Sequence, residues 1–416
     1  MSRKAHARWG LALLLSLALA LSLAACGQSA EEDTSLSAEE SASAVSSADV
    51  PAEAEPETDP ADTSAAGDIS AQFAEESSAE PEPEALEPDP DTAYEYTLCF
   101  AGDVNLAEGQ YTTAALDSYG LSGCVSETLR GYMTAADIMC LNNEFTYSSR
   151  GTPLEGKTYT YRASPSRVSA LEELGVDVAV LSNNHIYDYG EEALLDTLDT
   201  LDSAGIARIG AGKNLEEASA IYYAQLENCT VAYIAASRVE WSAQTKPATS
   251  DSPGTFYTAY DTELLYQRVG EAKEQADFVV VYMHWGIEGT ADLEEYQTEV
   301  GDALVDAGAD LVIGDHPHQL QGVRYYNGVP IFYSLGNYWF SRKEEYTMLV
   351  NVTLTGDKNG VREVSCQIVP AYQQASATVT WLESADSQRA MYDYLAGLPG
   401  SNITIDDRGV VAAKGQ

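Results

Sequence analysis

Four of the five histidines stand where apolar runs end: His185 closes Leu181-Ser182-Asn183-Asn184-His185, His284 follows Met283, and His316 and His318 close Ile313-Gly314-Asp315-His316-Pro317-His318. The fifth, His6, belongs to the N-terminal leader. Two further runs end in acids, Phe100-Ala101-Gly102-Asp103 and Leu141-Asn142-Asn143-Glu144. Imidazole mixed with carboxylate and amide oxygen is the donor set of Mn, Fe or Zn rather than of Ca. Asp103, Glu144, Asn184, His284, His316 and His318 are therefore the candidate metal ligands, with Pro317 holding two imidazoles apart on one turn. Singly, each has a plain structural reading: Gly-Asp as a turn, Asn-Asn-His as a capping loop, His284 as a satisfied core residue. Their shared position at the ends of runs is what points to a metal.

The elements behind these tips read as alternating strand and helix, which places the folded part in the α/β class. Strand-like runs are Tyr96–Ala101, Asp137–Leu141, Asp177–Ser182, Thr230–Ala235, Asp277–Met283 and Asp310–Ile313. Helical spacing of apolar residues marks Pro165–Leu174, Glu191–Ala204, Asp261–Gln275 and Leu293–Ala307. More strands follow at Val329–Leu335, Met348–Thr355 and Val361–Val369, the last two joined by the turn Gly356-Asp357-Lys358-Asn359-Gly360. In an open α/β sheet the carboxyl ends of parallel strands face one crevice, so the tips are expected to converge there.

The N-terminus reads as an export signal: Arg3, Lys4 and Arg8 precede the apolar run Trp9–Ala25, and small residues lead to Cys26. Residues 27–94 contain no Lys or Arg among many Asp, Glu, Ser, Ala and Pro. Such a segment cannot bury enough apolar surface to offset its chain entropy, so it is expected to be a disordered tether with a typical span of roughly 45 Å. The folded domain is expected over residues 95–372, with a C-terminal extension at 373–416. Formal net charge is −43, which repels nucleic acid at long range and excludes it as a partner. An anionic substrate then needs metal or a local basic pocket. Arg162 and Arg238 are the candidates to bind it, and the loop Ser237–Thr258 has the length and composition of a lid. Cys99, Cys124, Cys140, Cys229 and Cys366 show no Cys-x-x-Cys spacing, and all but Cys124 lie in strand-like runs as expected of buried thiols.

Two resemblances sharpen these readings. Leu23-Ala24-Ala25-Cys26 resembles the bacterial lipobox, which implies lipidation at Cys26 and a location on the extracellular face of the cytoplasmic membrane. Phe-Ala-Gly-Asp-Val-Asn-Leu from Phe100, Leu-Ser-Asn-Asn-His-Ile-Tyr-Asp-Tyr-Gly from Leu181, His-Trp-Gly-Ile-Glu from His284, Gly-Asp-His-Pro-His-Gln-Leu-Gln-Gly from Gly314 and Tyr-Ser-Leu-Gly-Asn-Tyr from Tyr333 resemble the CapA capsule-synthesis family, associated with poly-γ-glutamate. That family is similar to the calcineurin-like metallophosphoesterases, which implies a four-layer α-β-β-α sandwich.

Carried over position by position, the resemblance implies that Asp103 and His318 bind one metal, that Asn184, His284 and His316 bind the other, that Glu144 bridges, and that His185 is the catalytic proton donor. Asn105 stands where a His ligand is usual, which implies one tight metal site and a second weak one. Two functions follow as expectations. One is a metal-dependent hydrolase acting on an anionic polymer (poly-γ-glutamate or a glycan) or a phosphoester. The other is a non-catalytic polymer-binding or export factor, with a membrane synthase complex as partner.

Overall fold

The computed structural model describes residues 92–239 and 245–415. The signal segment, Cys26 and nearly all of the tether lie outside the described residues. No helix among the described residues is long and apolar enough to cross a membrane.

Two sheets form the centre. The larger has 10 strands, running Ile403–Ile405, Val410–Ala413, Gly360–Gln373, Glu345–Asp357, Tyr94–Val104, Ile138–Asn143, Val178–Val180 and Ala207–Ile209, with Asn337–Trp339 beside Tyr94–Val104 and Val379–Trp381 beside Gly360–Gln373. The other has 6 strands in the order Val323–Tyr326, Val329–Phe332, Leu311–Asp315, Phe278–Trp285, Thr230–Arg238 and Tyr222–Gln225. The strands that carry the candidate ligands are parallel in both sheets, Tyr94–Val104 with Ile138–Asn143 and Val178–Val180 in one, Phe278–Trp285 with Leu311–Asp315 in the other.

Side chains alternate between the faces of a strand, and three separate cores result. Leu98, Phe100 and Cys140 of the larger sheet meet Val231, Tyr233, Val280 and Ile313 of the smaller one. The alternate residues Cys99, Ala101, Met139 and Leu141 pack outward against Leu129, Met133, Leu194 and Leu198. On the far side, Ile234, Val281 and Val312 pack against Leu265, Val269, Val300 and Leu304. The layers are therefore α, β, β and α, as the resemblance implies. Helix Gly190–Ala204 illustrates the outer layers: Leu194, Leu198 and Leu201 are fully buried, each contributing roughly 1.5–3 kcal/mol by leaving water. Gly205, in the left-handed conformation, ends that helix.

Residues 373–415, expected as a C-terminal extension, are built into the same fold rather than appended to it. They add Val379–Trp381, Ile403–Ile405 and Val410–Ala413 to the larger sheet, while Met391 and Leu395 of helix Ala385–Ala396 enter the core between the sheets. All five cysteines among the described residues are buried and free.

Candidate metal centre

The crevice lies between two sheets, not at the edge of one. Asp103, Glu144 and Asn184 come from strand ends of the larger sheet, and His284, His316 and His318 from strand ends of the smaller one. Local geometry aims each group. The register of Tyr94–Val104 on Ile138–Asn143 shifts between Ala101 and Asp103. A Cβ on Gly102 at that shift would meet the Gly336 carbonyl oxygen at 2.0 Å, and the Asp103 N–H donates to that same oxygen at 2.9 Å. Only glycine lets the strand pass close enough for Asp103 to reach the crevice. Across it, His316 (φ 100) and His318 (φ 55) adopt backbone angles that non-glycine residues seldom take. Strain of this kind collects at functional sites because the surrounding packing must enforce it.

Glu144 is the hub. Its Oε1 lies 3.7 Å from His284 Nε2 and 3.9 Å from the Nε2 atoms of both His185 and His318. Around His284 Nε2, Asn184 Oδ1 stands at 2.9 Å and His316 Nδ1 at 3.1 Å. Neighbouring ligands of one cation, each about 2.1 Å from it, are separated by about 3–3.4 Å, so this spacing fits a shared ion. The second group, Asp103, Glu144 and His318, is looser: His318 Nδ1 is 3.2 Å from Asp103 Oδ2 but also 2.9 Å from Asn337 Oδ1. Asn105 Oδ1 is already engaged, accepting from the Ala107 N–H at 2.9 Å.

The residues present fit a metal on a further count. Both carboxylate oxygens of Glu144 and Oδ2 of Asp103 are buried without a hydrogen bond, a state costing about 1–3 kcal/mol per group or more when charged. A cation would satisfy all three. The protonation pattern agrees. Burial, then the Asp103 charge, pushes the Glu144 carboxyl well above the carboxylate range. Burial, then neighbouring imidazoles, pushes His284 and His316 well below the usual range and keeps both rings neutral. Burial also pulls His318 down, but the Asp103 carboxylate outweighs it and leaves the ring raised.

Supporting residues went unnoticed in the sequence. Asp188 Oδ2 lies 2.7 Å from His185 Nδ1 and accepts from the Tyr161 N–H at 2.6 Å, while Asp188 Oδ1 pairs with Lys157 Nζ at 2.5 Å. A carboxylate accepts only, so the proton sits on His185 Nδ1 and Nε2 faces the crevice bare. The amides of Asn142 and Asn183 link the ligands: Asn142 Nδ2 donates to Asp103 Oδ1 at 2.7 Å, and Asn183 Nδ2 donates to Asn142 Oδ1 at 2.9 Å. Asp315, which directly precedes the candidate ligand His316, accepts from the Tyr282 hydroxyl and the Leu335 N–H. An acid three residues after His185 was the one available signal for Asp188; nothing in the spacing marks Lys157.

A cleft of about 380 Å³ opens over the cluster, lined by Lys157, Tyr159, Asn184, His185, Glu288 and His316 among others. Arg162 and Arg238 do not line it. The Arg162 guanidinium donates to the Arg150 and Gly151 carbonyls and stacks on Tyr189, and that of Arg238 stacks on Tyr296. Of the expected lid, Val239 reaches the cleft. Gly254–Thr255 pairs with Ala211–Gly212 and Ser237 N–H donates to the Phe256 carbonyl, so that part is tied down; Trp241 lies outside the described residues.

Acids, amides and imidazoles thus gather at the strand ends of two facing sheets within a four-layer α-β-β-α sandwich, in two groups that could each hold a metal ion. The chain belongs to the bacterial capsule synthesis protein family PGA_cap, whose sequence pattern matches residues 97–342. It is 31% identical over 246 residues to the PGA biosynthesis protein CapA of Bacillus subtilis, covering 58% of this chain and 63% of that one. Against the capsule biosynthesis protein CapA of Bacillus anthracis it is 30% identical over 253 residues, 59% of this chain and 60% of the other. The matches thus span less than two thirds of either relative. A solved putative 5'-nucleotidase from Staphylococcus aureus aligns over 66% of this chain and 54% of its own at 18% identity, with a TM-score of 0.39.

Proposed function

We propose that this chain is a metal-dependent hydrolase of the cell envelope, anchored through Cys26 and acting in capsule or poly-γ-glutamate metabolism, the process named for its Bacillus relatives. One observation carries the reading: the buried Glu144 carboxylate, without a hydrogen bond, stands within 3.9 Å of ring nitrogens from His185, His284 and His318. Glu144, Asn184, His284 and His316 would hold one cation, and Asp103, Glu144 and His318 a second. Such cations supply an activated water and polarise the scissile oxygen. The rest falls to the chain. Asp188 fixes the His185 tautomer with the bare Nε2 toward the reacting region and would stabilise the imidazolium formed when Nε2 takes a proton from the attacking water, the proton that His185 then gives to the leaving group. Lys157 neutralises Asp188 and donates to the Asn184 carbonyl, which holds both the proton carrier and a ligand in place.

The second reading, a non-catalytic assembly factor, is favoured by one feature. Asn105 spends its oxygen on the Ala107 N–H, which leaves the second ligand group one donor short. The test is hydrolysis of bis-p-nitrophenyl phosphate and of poly-γ-glutamate by the Mn²⁺-loaded chain and by His185→Ala. Turnover of either substrate that drops in the variant supports the hydrolase. Metal-loaded protein that binds poly-γ-glutamate without cleaving anything contradicts it in favour of the assembly factor.

A further inference from the structure

The loop after His284 carries an acid that the metal cluster does not use. Glu288 is exposed on the cleft wall, and no hydrogen bond or ion pair engages its carboxylate among the described residues. Its backbone, by contrast, is held firmly. Gly286 (φ 87) and Gly289 (φ 77) bracket Ile287 and Glu288 in left-handed conformations. The Gly286 N–H donates to the Tyr296 hydroxyl at 2.7 Å, and the Gly289 N–H donates to the Pro317 carbonyl at 2.9 Å, between the two histidines of the ligand turn.

Among the described residues the rest of the wall offers no counterweight. Lys157 is ion-paired with Asp188 and bonded to the Asn184 carbonyl, and Arg162 and Arg238 stack elsewhere. Once metal is bound, the cleft presents cations at its floor and a carboxylate on its wall. That layout complements a substrate bearing an acidic group with an ammonium beside it, and repels one with a second anion in that place.

We infer that Glu288 is a specificity residue that binds an ammonium group next to the acidic group seated on the metals. The substrate end is then zwitterionic, either the free amino end of an acidic peptide chain or a phosphorylated amino sugar. The interior of a polyanion would set a carboxylate against Glu288, so the cleft takes chain ends. Its volume of about 380 Å³ lies near the small end of ligand pockets, roughly 300–1,000 Å³, which suits one terminal unit. The inference rests on the reading that the cluster holds metal.

The experiment is equilibrium binding to the full Mn²⁺-loaded chain, with metal content measured on the same sample. The probes are γ-glutamylglutamate with its N-acetyl form, and glucosamine 1-phosphate with N-acetylglucosamine 1-phosphate. The free amine of one pair is expected to bind about tenfold more tightly than its acetylated partner, and the responding pair identifies the source. In Glu288→Gln the ratio falls to about one with metal content unchanged. Equal binding within both pairs, a preference that survives in the variant, or no binding of any probe to metal-loaded protein overturns the inference. A chain that takes up no metal overturns the metal reading and this inference with it.

Discussion

His185 owes its orientation to a buried pair that carries no metal: Lys157 and Asp188, whose side chains are 4% and 0% exposed. Asp188→Asn removes the acceptor that pins the Nδ1 proton, so the bare Nε2 is lost from the crevice side in part of the population. The expected result is a drop in hydrolysis of about 10²–10⁴-fold with metal content unchanged, and unchanged turnover would show that His185 does not act through Nε2. Lys157→Met leaves the Asp188 carboxylate buried without its cation, a loss of about 3 kcal/mol or more in stability, read from urea unfolding. A loss within ~0.5 kcal/mol, the usual range for a surface substitution, would mean that the carboxylate finds another partner. At this scale the sequence discloses donors but not their supports. Asp103, Glu144 and the histidines announce themselves by residue type at the ends of apolar runs. Asp188, Lys157, Asn142 and Asn183 are ordinary loop residues until the chain folds them together. Arg162 and Arg238 mark the opposite limit, since their charge is legible while their stacking on Tyr189 and Tyr296 is not.

The strand ends depend on close backbone passage. Gly102→Ala would drive a Cβ to 2.0 Å from the Gly336 carbonyl oxygen, which must push the Asn337–Trp339 strand away from Tyr94–Val104. The expected cost is about 3 kcal/mol in stability, together with weaker metal retention, since Asp103 follows Gly102 directly. Full retention of metal and an unchanged unfolding midpoint would show that the crossing is slack. The long strands were legible because continuous apolar runs bounded by Asp and Gly have few other readings; the structure extends those ending near Asp103, Glu144, His284 and His316 by two or three residues, while the run expected at Asp177–Ser182 is a strand only over Val178–Val180. Helix Tyr111–Cys124 was missed for a physical reason: Gly120 breaks it with φ 67, and its apolar residues do not repeat at helical spacing. Strands of three or four residues such as Ala207–Ile209 and Tyr222–Gln225 are too short to show alternation and are fixed by their neighbours in the sheet.

For the whole molecule, the site exists because two sheets bring their strand ends together, a juxtaposition that local pattern does not encode. Convergence on one crevice was legible; that two sheets supply it came only through the family resemblance. The folded charge state makes a linkage prediction. Without metal, Glu144 is held protonated by burial and Asp103, whereas burial keeps His284 and His316 neutral. Filling the tight site must displace the Glu144 proton but no proton from these two rings, so uptake of the first cation should release about one proton and tighten as pH rises. Calorimetry in buffers of different ionisation enthalpy reads the count; uptake without proton release would mean that Glu144 is not a ligand.

Metal content of the purified chain bears most directly on the central claim, that Glu144, Asn184, His284 and His316 form one tight site beside a weaker one. Elemental analysis without added metal should find about one Mn, Fe or Zn per chain, rising toward two with excess Mn²⁺ or Zn²⁺, since the second group has only three protein donors. His284→Ala should empty the tight site while the circular dichroism of the fold persists. Tight binding of two metals by the unaltered chain, or undiminished occupancy in His284→Ala, would contradict the ligand assignment.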